Sequence, residues 1–138
     1  MRVALDIGQV RTGIARTDAS GVLVFAHGVV LTENLASELQ TLIREYEPVK
    51  FYIGMPVDLR GELGIAAHGI QALVETLFAN IDIPFEMRDE RMTTKIAESR
   101  LRSLEHSSRQ MRPTIDAMAA VVLLEEAVER ERRSPDHE

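Results

Sequence analysis

At 138 residues, with 45% hydrophobic and 28% charged residues, the chain has the length and composition of one globular domain with a sizeable core. It contains no cysteine, which excludes disulfides and zinc–thiolate sites. No apolar run approaches the roughly 18 residues of a membrane span, and Met1 leads directly into Arg2 and a strand pattern, so the expectation is a cytoplasmic protein without a signal peptide or a membrane partner.

In chain order, Val3, Leu5 and Ile7 alternate with Ala4 and Asp6, the pattern of a strand that delivers one carboxylate at its C-terminal end. Gly8 follows, expected to use a positive φ and to let the backbone pass close to whatever Asp6 holds. Thr12 to Thr17 is a second strand, and the Asp18-Ala19-Ser20-Gly21 turn leads to a third, Val22 to Leu31. Thr32 is the expected N-cap of a helix carrying Leu35, Leu39, Leu42, Ile43 and Tyr46, which Pro48 stops.

Val49 to Met55 reads as a buried strand ending in Gly54-Met55-Pro56, and the loop Val57 to Gly61 leads to a second helix with Ile70, Leu73, Val74 and Leu77 on one face. Phe85 to Arg88 is a further strand, followed by Asp89 and Glu90. A helix capped by Thr93 or Thr94 carries Ala97, Leu101 and Leu104, and the polar stretch Glu105 to Pro113 reads as a loop. Pro113 and Thr114 then start a final helix whose segment Ala117 to Leu124 is apolar on every face, as in a helix buried in a core. Residues 1–133 form the expected single domain, and 134–138 a frayed tail. An antiparallel opening followed by strand–helix alternation predicts an α/β fold: a five-stranded mixed sheet with helices on both faces.

Three carboxylates stand out against this pattern. Asp6 ends the first strand, Glu90 follows the last, and Asp116 lies at the start of an apolar helix. If the first strand is central and parallel to the later ones, the three acids meet at the rim where α/β proteins place their sites. Such acids repel unless divalent cations lie between them. Mg²⁺ or Mn²⁺ suits an all-oxygen site, and two ions about 4 Å apart suit hydrolysis of a phosphodiester. Each acid also has a simpler reading. Asp6 accepts hydrogen bonds from the glycine turn, Glu90 belongs to a solvated charge run, and Asp116 complements the helix dipole. His27, His68, His106 and His137 show no metal spacing, and no phosphate-loop or dinucleotide fingerprint is present.

The formal net charge of −6 argues against a polyanionic partner, but the charge is uneven. Arg88, Arg91, Lys95, Arg100, Arg102, Arg109 and Arg112 make the 88–112 stretch basic, whereas residues 125–138 are acidic.

Four motifs together resemble the YqgF family, also called RuvX, of the RNase H-like superfamily, over Arg2 to about Arg132. They are Asp6-x-Gly8 with Arg11-x-Gly13; Gly54-Met55-Pro56 with Gly61; Asp89-Glu90-Arg91-x-Thr93-Thr94; and Ile115-Asp116 with Ala119-Ala120. Val10 stands where many members carry lysine before the motif arginine. The resemblance implies an RNase H-like fold and a nuclease using Mg²⁺ or Mn²⁺, with two ions held by Asp6, Glu90 and Asp116 as metal-binding catalytic acids. Arg11 and Arg91 are assigned to phosphate or to orienting the acids, and Arg100, Arg102, Arg109 and Arg112 to the nucleic-acid backbone. The family's pre-16S rRNA role, in processing the 5′ end, is the first expectation for substrate. Resolution of four-way DNA junctions is the alternative, and it expects a symmetric homodimer rather than a monomer. A non-catalytic module binding RNA or protein is a reading of another class, and a phosphotransferase would need a second lobe that 138 residues do not supply.

Overall fold

A computed structural model describes residues 1–55, 65–89 and 108–133, with backbone alone described at Met55, 65–67, Asp89 and 108–116. The strands are β1 (Arg2–Ile7), β2 (Arg11–Thr17), β3 (Val24–Leu31), β4 (Lys50–Met55) and β5 (Phe85–Asp89). A 3-10 turn at Thr32–Asn34 precedes α1 (Leu35–Tyr46); α2 spans Ile65–Phe78 and α3 spans Ser108–Arg133.

The sheet order is β3-β2-β1-β4-β5. β1 pairs antiparallel with β2, which pairs antiparallel with β3, while β1–β4 and β4–β5 are parallel. The short turns that link the first three strands allow only antiparallel pairing, whereas β1, β4 and β5 are separated by helices that return the chain for parallel pairing. The first strand is therefore central.

Alternation along the strands separates two cores. Val3, Leu5, Ile7, Ile14, Phe51 and Ile53 pack on one face against Leu35, Leu39 and Leu42 of α1 and Ile70, Val74 and Phe78 of α2. Ala4, Ala15 and Tyr52 face the other way, onto Ala120, Leu123, Leu124 and Ala127 of α3. The small side chains Ala4 and Ala15 let α3 lie close to the sheet. The expected helices-on-both-faces arrangement follows from this division.

Three sequence expectations are corrected. Ser108–Pro113 is helix, not loop, so α3 starts upstream of Pro113 and Thr114. Arg109, Gln110, Met111 and Arg112 are good helix formers, and a proline in the second turn forfeits one backbone bond to the residue four before it. Thr32 does not cap α1: the helix begins at Leu35, and the Asn34 cap position makes no side-chain cap bond. The Thr32 hydroxyl is committed elsewhere, as described below. β3 also starts at Val24, two residues later than expected, because Asp18 accepts hydrogen bonds from the backbone N–H groups of Val22 and Leu23 and holds them in the turn. The helix expected over Thr93–Leu104 and the 134–138 tail lie outside the described residues.

α1 ends at Tyr46 as expected before Pro48, with Glu47 in the left-handed region at φ 47°, its N–H donating to the Ile43 carbonyl at 3.0 Å.

Candidate active site

Asp6 sits one residue from the end of β1, paired across to Gly13 of β2. It shares a face with Ala4, hence the α3 side of the sheet, and it is half-buried. The glycine-turn explanation of Asp6 does not hold. The Gly8 N–H donates to the Arg11 carbonyl at 2.9 Å and so closes the β1–β2 turn on itself. Among the described residues no donor or cation pairs with the Asp6 carboxylate.

Gly8 is required for a different reason from the one expected. Its φ is not positive; a Cβ at this position would lie 2.8 Å from the Arg11 carbonyl oxygen. The turn is also stitched from outside. The Thr32 hydroxyl donates to the Gly8 carbonyl at 2.7 Å, and the Thr32 N–H donates to the Val10 carbonyl at 2.8 Å. Since the one Thr32 hydroxyl proton is used on Gly8, the Thr12 hydroxyl 2.9 Å away is the donor in the Thr12–Thr32 bond. Thr12 is fully buried. These two threonines position the turn behind Asp6, and nothing in local sequence marks them, because the bond spans twenty positions.

The register fixes the rim. β1 pairs Leu5 with Ile53, and β4 pairs Met55 with Asp89, so β1, β4 and β5 finish at one edge of the sheet. Asp89 belongs to β5, two strands or roughly 10 Å across from β1. Glu90 follows Asp89 in the chain and lies outside the described residues, as do Arg91, Arg100 and Arg102.

α3 runs antiparallel to β1. Near its C-terminal end Glu131 pairs with Arg2 at the start of β1, and the Arg132 guanidinium donates to the Val22 carbonyl of the β2–β3 turn. Traced back from Glu131, Asp116 lies about 22 Å along the helix. Asp6 is about 13 Å along β1 from Arg2, so Asp6 and the backbone of Asp116 both lie away from the Arg2–Glu131 end. Asp116 is also four positions, one helical turn, before the buried Ala120. Arg109 and Arg112 precede it on the same helix.

Arg11 opens β2 beside the turn, exposed, with no ion-pair partner among the described residues. Val10 is 62% exposed at the tip of the turn. Among the described residues no group of three His, Cys, Asp or Glu is assembled to hold a metal. Asp6 is the one candidate ligand whose side chain is described. Its lack of a partner among the described residues, and its oxygen donors, fit a hard cation such as Mg²⁺ or Mn²⁺.

This fold is that of the RNase H-like resolvases. A Thermus thermophilus RuvC solved in complex with Holliday junction substrate superposes with a TM-score of 0.59 at 14% identity, covering 95% of this chain and 96% of that one. A Fowlpox virus resolvase, solved with Holliday junction DNA, gives 0.56 at 13% identity, covering 94% and 97%.

The chain belongs to the RuvX family, whose model, described as Holliday junction resolvase, matches residues 1–130. Among its relatives, proteins named "Putative pre-16S rRNA nuclease" from Streptomyces avermitilis and Natranaerobius thermophilus are 36% and 30% identical. The matches cover 96% of this chain and 88% of the first relative, and 95% of this chain and 96% of the second. The family expected from the four motifs is thus the family found, and its class is that of nucleases hydrolysing nucleic-acid phosphodiester bonds. Among the described residues no helix is long and apolar enough to cross a membrane.

Proposed function

We propose that this chain is a divalent-metal-dependent nuclease of precursor 16S rRNA, trimming its 5′ end during ribosome assembly in the cytoplasm. The observation that carries the site is Asp6: a half-buried carboxylate at the end of the central strand, with no donor or cation among the described residues to offset its charge. The relatives' name supports the choice of substrate.

In this reading Asp6, Glu90 and Asp116 hold two Mg²⁺ or Mn²⁺ ions. When bound, such ions lower the pKa of a coordinated water and offset charge on the phosphoryl oxygens. The protein's part is placement. Gly8, Thr12 and Thr32 lock the turn that follows Asp6 and so hold its backbone at the end of β1. Arg11, exposed beside it, contacts a phosphate on the substrate strand, and Arg91 does the same or orients the acids. Arg100, Arg102, Arg109 and Arg112 follow the backbone of the nucleic acid.

The family description favours a second reading, resolution of four-way DNA junctions. That activity needs two cuts related by symmetry, hence a homodimer, whereas trimming of one RNA strand works as a monomer. Purified protein is incubated with precursor 16S rRNA and with synthetic four-way junctions, each with Mn²⁺, Mg²⁺ or chelator. Metal-dependent shortening of the RNA is the expected result. Paired cuts in the junction alone support the second reading, and no turnover of either leaves a binding module.

A further inference from the structure

A cationic and aromatic cluster lies away from the rim, on the opposite face of the sheet from Asp6. Arg16 of β2 is the direct cross-strand partner of Phe25 on β3, the edge strand. Its guanidinium carbon stands 5.5 Å from the Phe25 ring centroid and 4.8 Å from that of Tyr46, the last residue of α1. Arg16 Nε donates to His27 Nδ1 at 3.3 Å, which puts the imidazole proton on Nε2, and the His27 and Tyr46 rings meet edge-on at 5.8 Å. The register slips between Ile14 and Ala15, pairing them with Gly28 and Ala26, so His27 is the extra residue of a β-bulge that turns it toward Tyr46.

Two features call for an external ligand. Among the described residues no carboxylate pairs with Arg16, so its charge is held by ring faces and an imidazole, which leave it uncompensated. Glu38 approaches His27 Nε2 at 3.9 Å and forms no pair with Arg16. Phe25 is also 43% exposed, with Arg16 over its ring, an arrangement that costs apolar hydration in the free protein. A flat exposed ring beside an uncompensated guanidinium matches one nucleotide, base against ring and phosphate against cation.

We propose that Arg16, Phe25, His27 and Tyr46 form a landing site for one unpaired nucleotide of an RNA strand. The base stacks on Phe25, and the phosphate meets Arg16. A base inside a duplex cannot offer its face, so the site selects single-stranded RNA. From Arg11 to Arg16 is about 16 Å along β2, the reach of a strand leaving the rim and crossing the β3 edge. The inference rests on the reading of the chain as an RNA-processing nuclease, since it supplies that enzyme with a second hold on its substrate.

The test is fluorescence anisotropy of a labelled single-stranded RNA, titrated in chelator so that no cleavage occurs, with the matching RNA duplex as the second probe. Phe25→Ala is expected to weaken single-strand binding roughly 5- to 150-fold, the size of one base–aromatic stack, and to leave duplex binding unchanged. Phe25→Trp is expected to restore it, which loss of structure would not allow, and circular dichroism verifies both folds. Single-strand affinity equal to wild type in a folded Phe25→Ala protein overturns the proposal, and so does equal loss on both probes. Cleavage with Mn²⁺ is scored separately. Phe25-dependent binding with no cleavage of any substrate supports this site and removes the nuclease reading. Cleavage with Phe25-independent binding overturns the site and leaves the nuclease reading in place.

Discussion

Arg2, the first residue of β1, and Glu131, in the last turns of α3, form an ion pair at 2.8 Å between chain positions 129 residues apart. The other carboxylate oxygen of Glu131 accepts from the Tyr52 hydroxyl of β4 at 2.6 Å. One side chain thus ties α3 to two central strands, at the end of the sheet away from the rim. Both charged partners are largely shielded, so the pair is worth more than an open surface bridge.

Glu131→Gln weakens the charge-assisted bonds to Arg2 and Tyr52, with an expected loss of about 2 kcal/mol. Tyr52→Phe removes one bond and costs about 1 kcal/mol. Urea denaturation of the two variants and their double mutant measures the coupling, and additivity would mean that Tyr52 and Glu131 act independently.

Burial, followed by the hydrogen bond to Glu131 and the charges of Glu131 and Glu86, holds the Tyr52 phenol above its ordinary value of 10. The unfolded chain therefore loses this proton before the folded one does. The stabilisation is complete below pH 10 and drains away as pH rises through the folded-state value. Tyr52→Phe is expected to flatten the alkaline fall of stability above pH 10, read as the denaturation midpoint against pH.

The turn behind Asp6 has no slack. Gly8→Ala brings a methyl to 2.8 Å from the Arg11 carbonyl, and the backbone has to shift, at a cost of about 1–3 kcal/mol. Thr32→Val removes the donor to Gly8 and strands the buried Thr12 hydroxyl, with a similar cost. Both changes are expected to lower the thermal midpoint and to reduce cleavage more than binding, because they move Asp6.

Glu47 occupies a left-handed conformation that disfavours side chains with a Cβ. Glu47→Gly keeps the C-cap bond and is expected to raise stability by about 0.5–1 kcal/mol, measured by thermal unfolding.

Asp6→Asn is nearly isosteric and removes the charge at the rim. Cleavage is expected to vanish, while the thermal midpoint stays equal or rises and binding of RNA in chelator is retained. Asp116→Asn is expected to behave alike. Full activity in either variant removes that acid from the site.

Much of this architecture was legible in the chain. Alternation in Arg2–Ile7 and the short turns after it dictate antiparallel pairing, and the apolar run Ala117–Leu124 can only be a buried helix. These signals are local, set by side-chain period and turn length, and they also yielded the acids at the ends of elements. The family motifs are likewise strings of adjacent residues.

Other features depend on which distant segments meet. Thr32 reads locally as a helix cap, yet it serves the Gly8 turn, because the β2–β3 pairing brings the two together. Pro113 reads as a helix start, yet α3 begins upstream at Ser108. The nearness of Arg16 to Tyr46 and of Glu131 to Tyr52 has no trace in composition or period. The sequence by itself determined the order of the five strands, the family and the carboxylate at the end of β1, since each is written in neighbouring residues. The tertiary structure alone decided which hydroxyls hold that carboxylate's turn and which guanidinium has no acid partner among the described residues, because hydrogen bonds and charges are settled by contact in space.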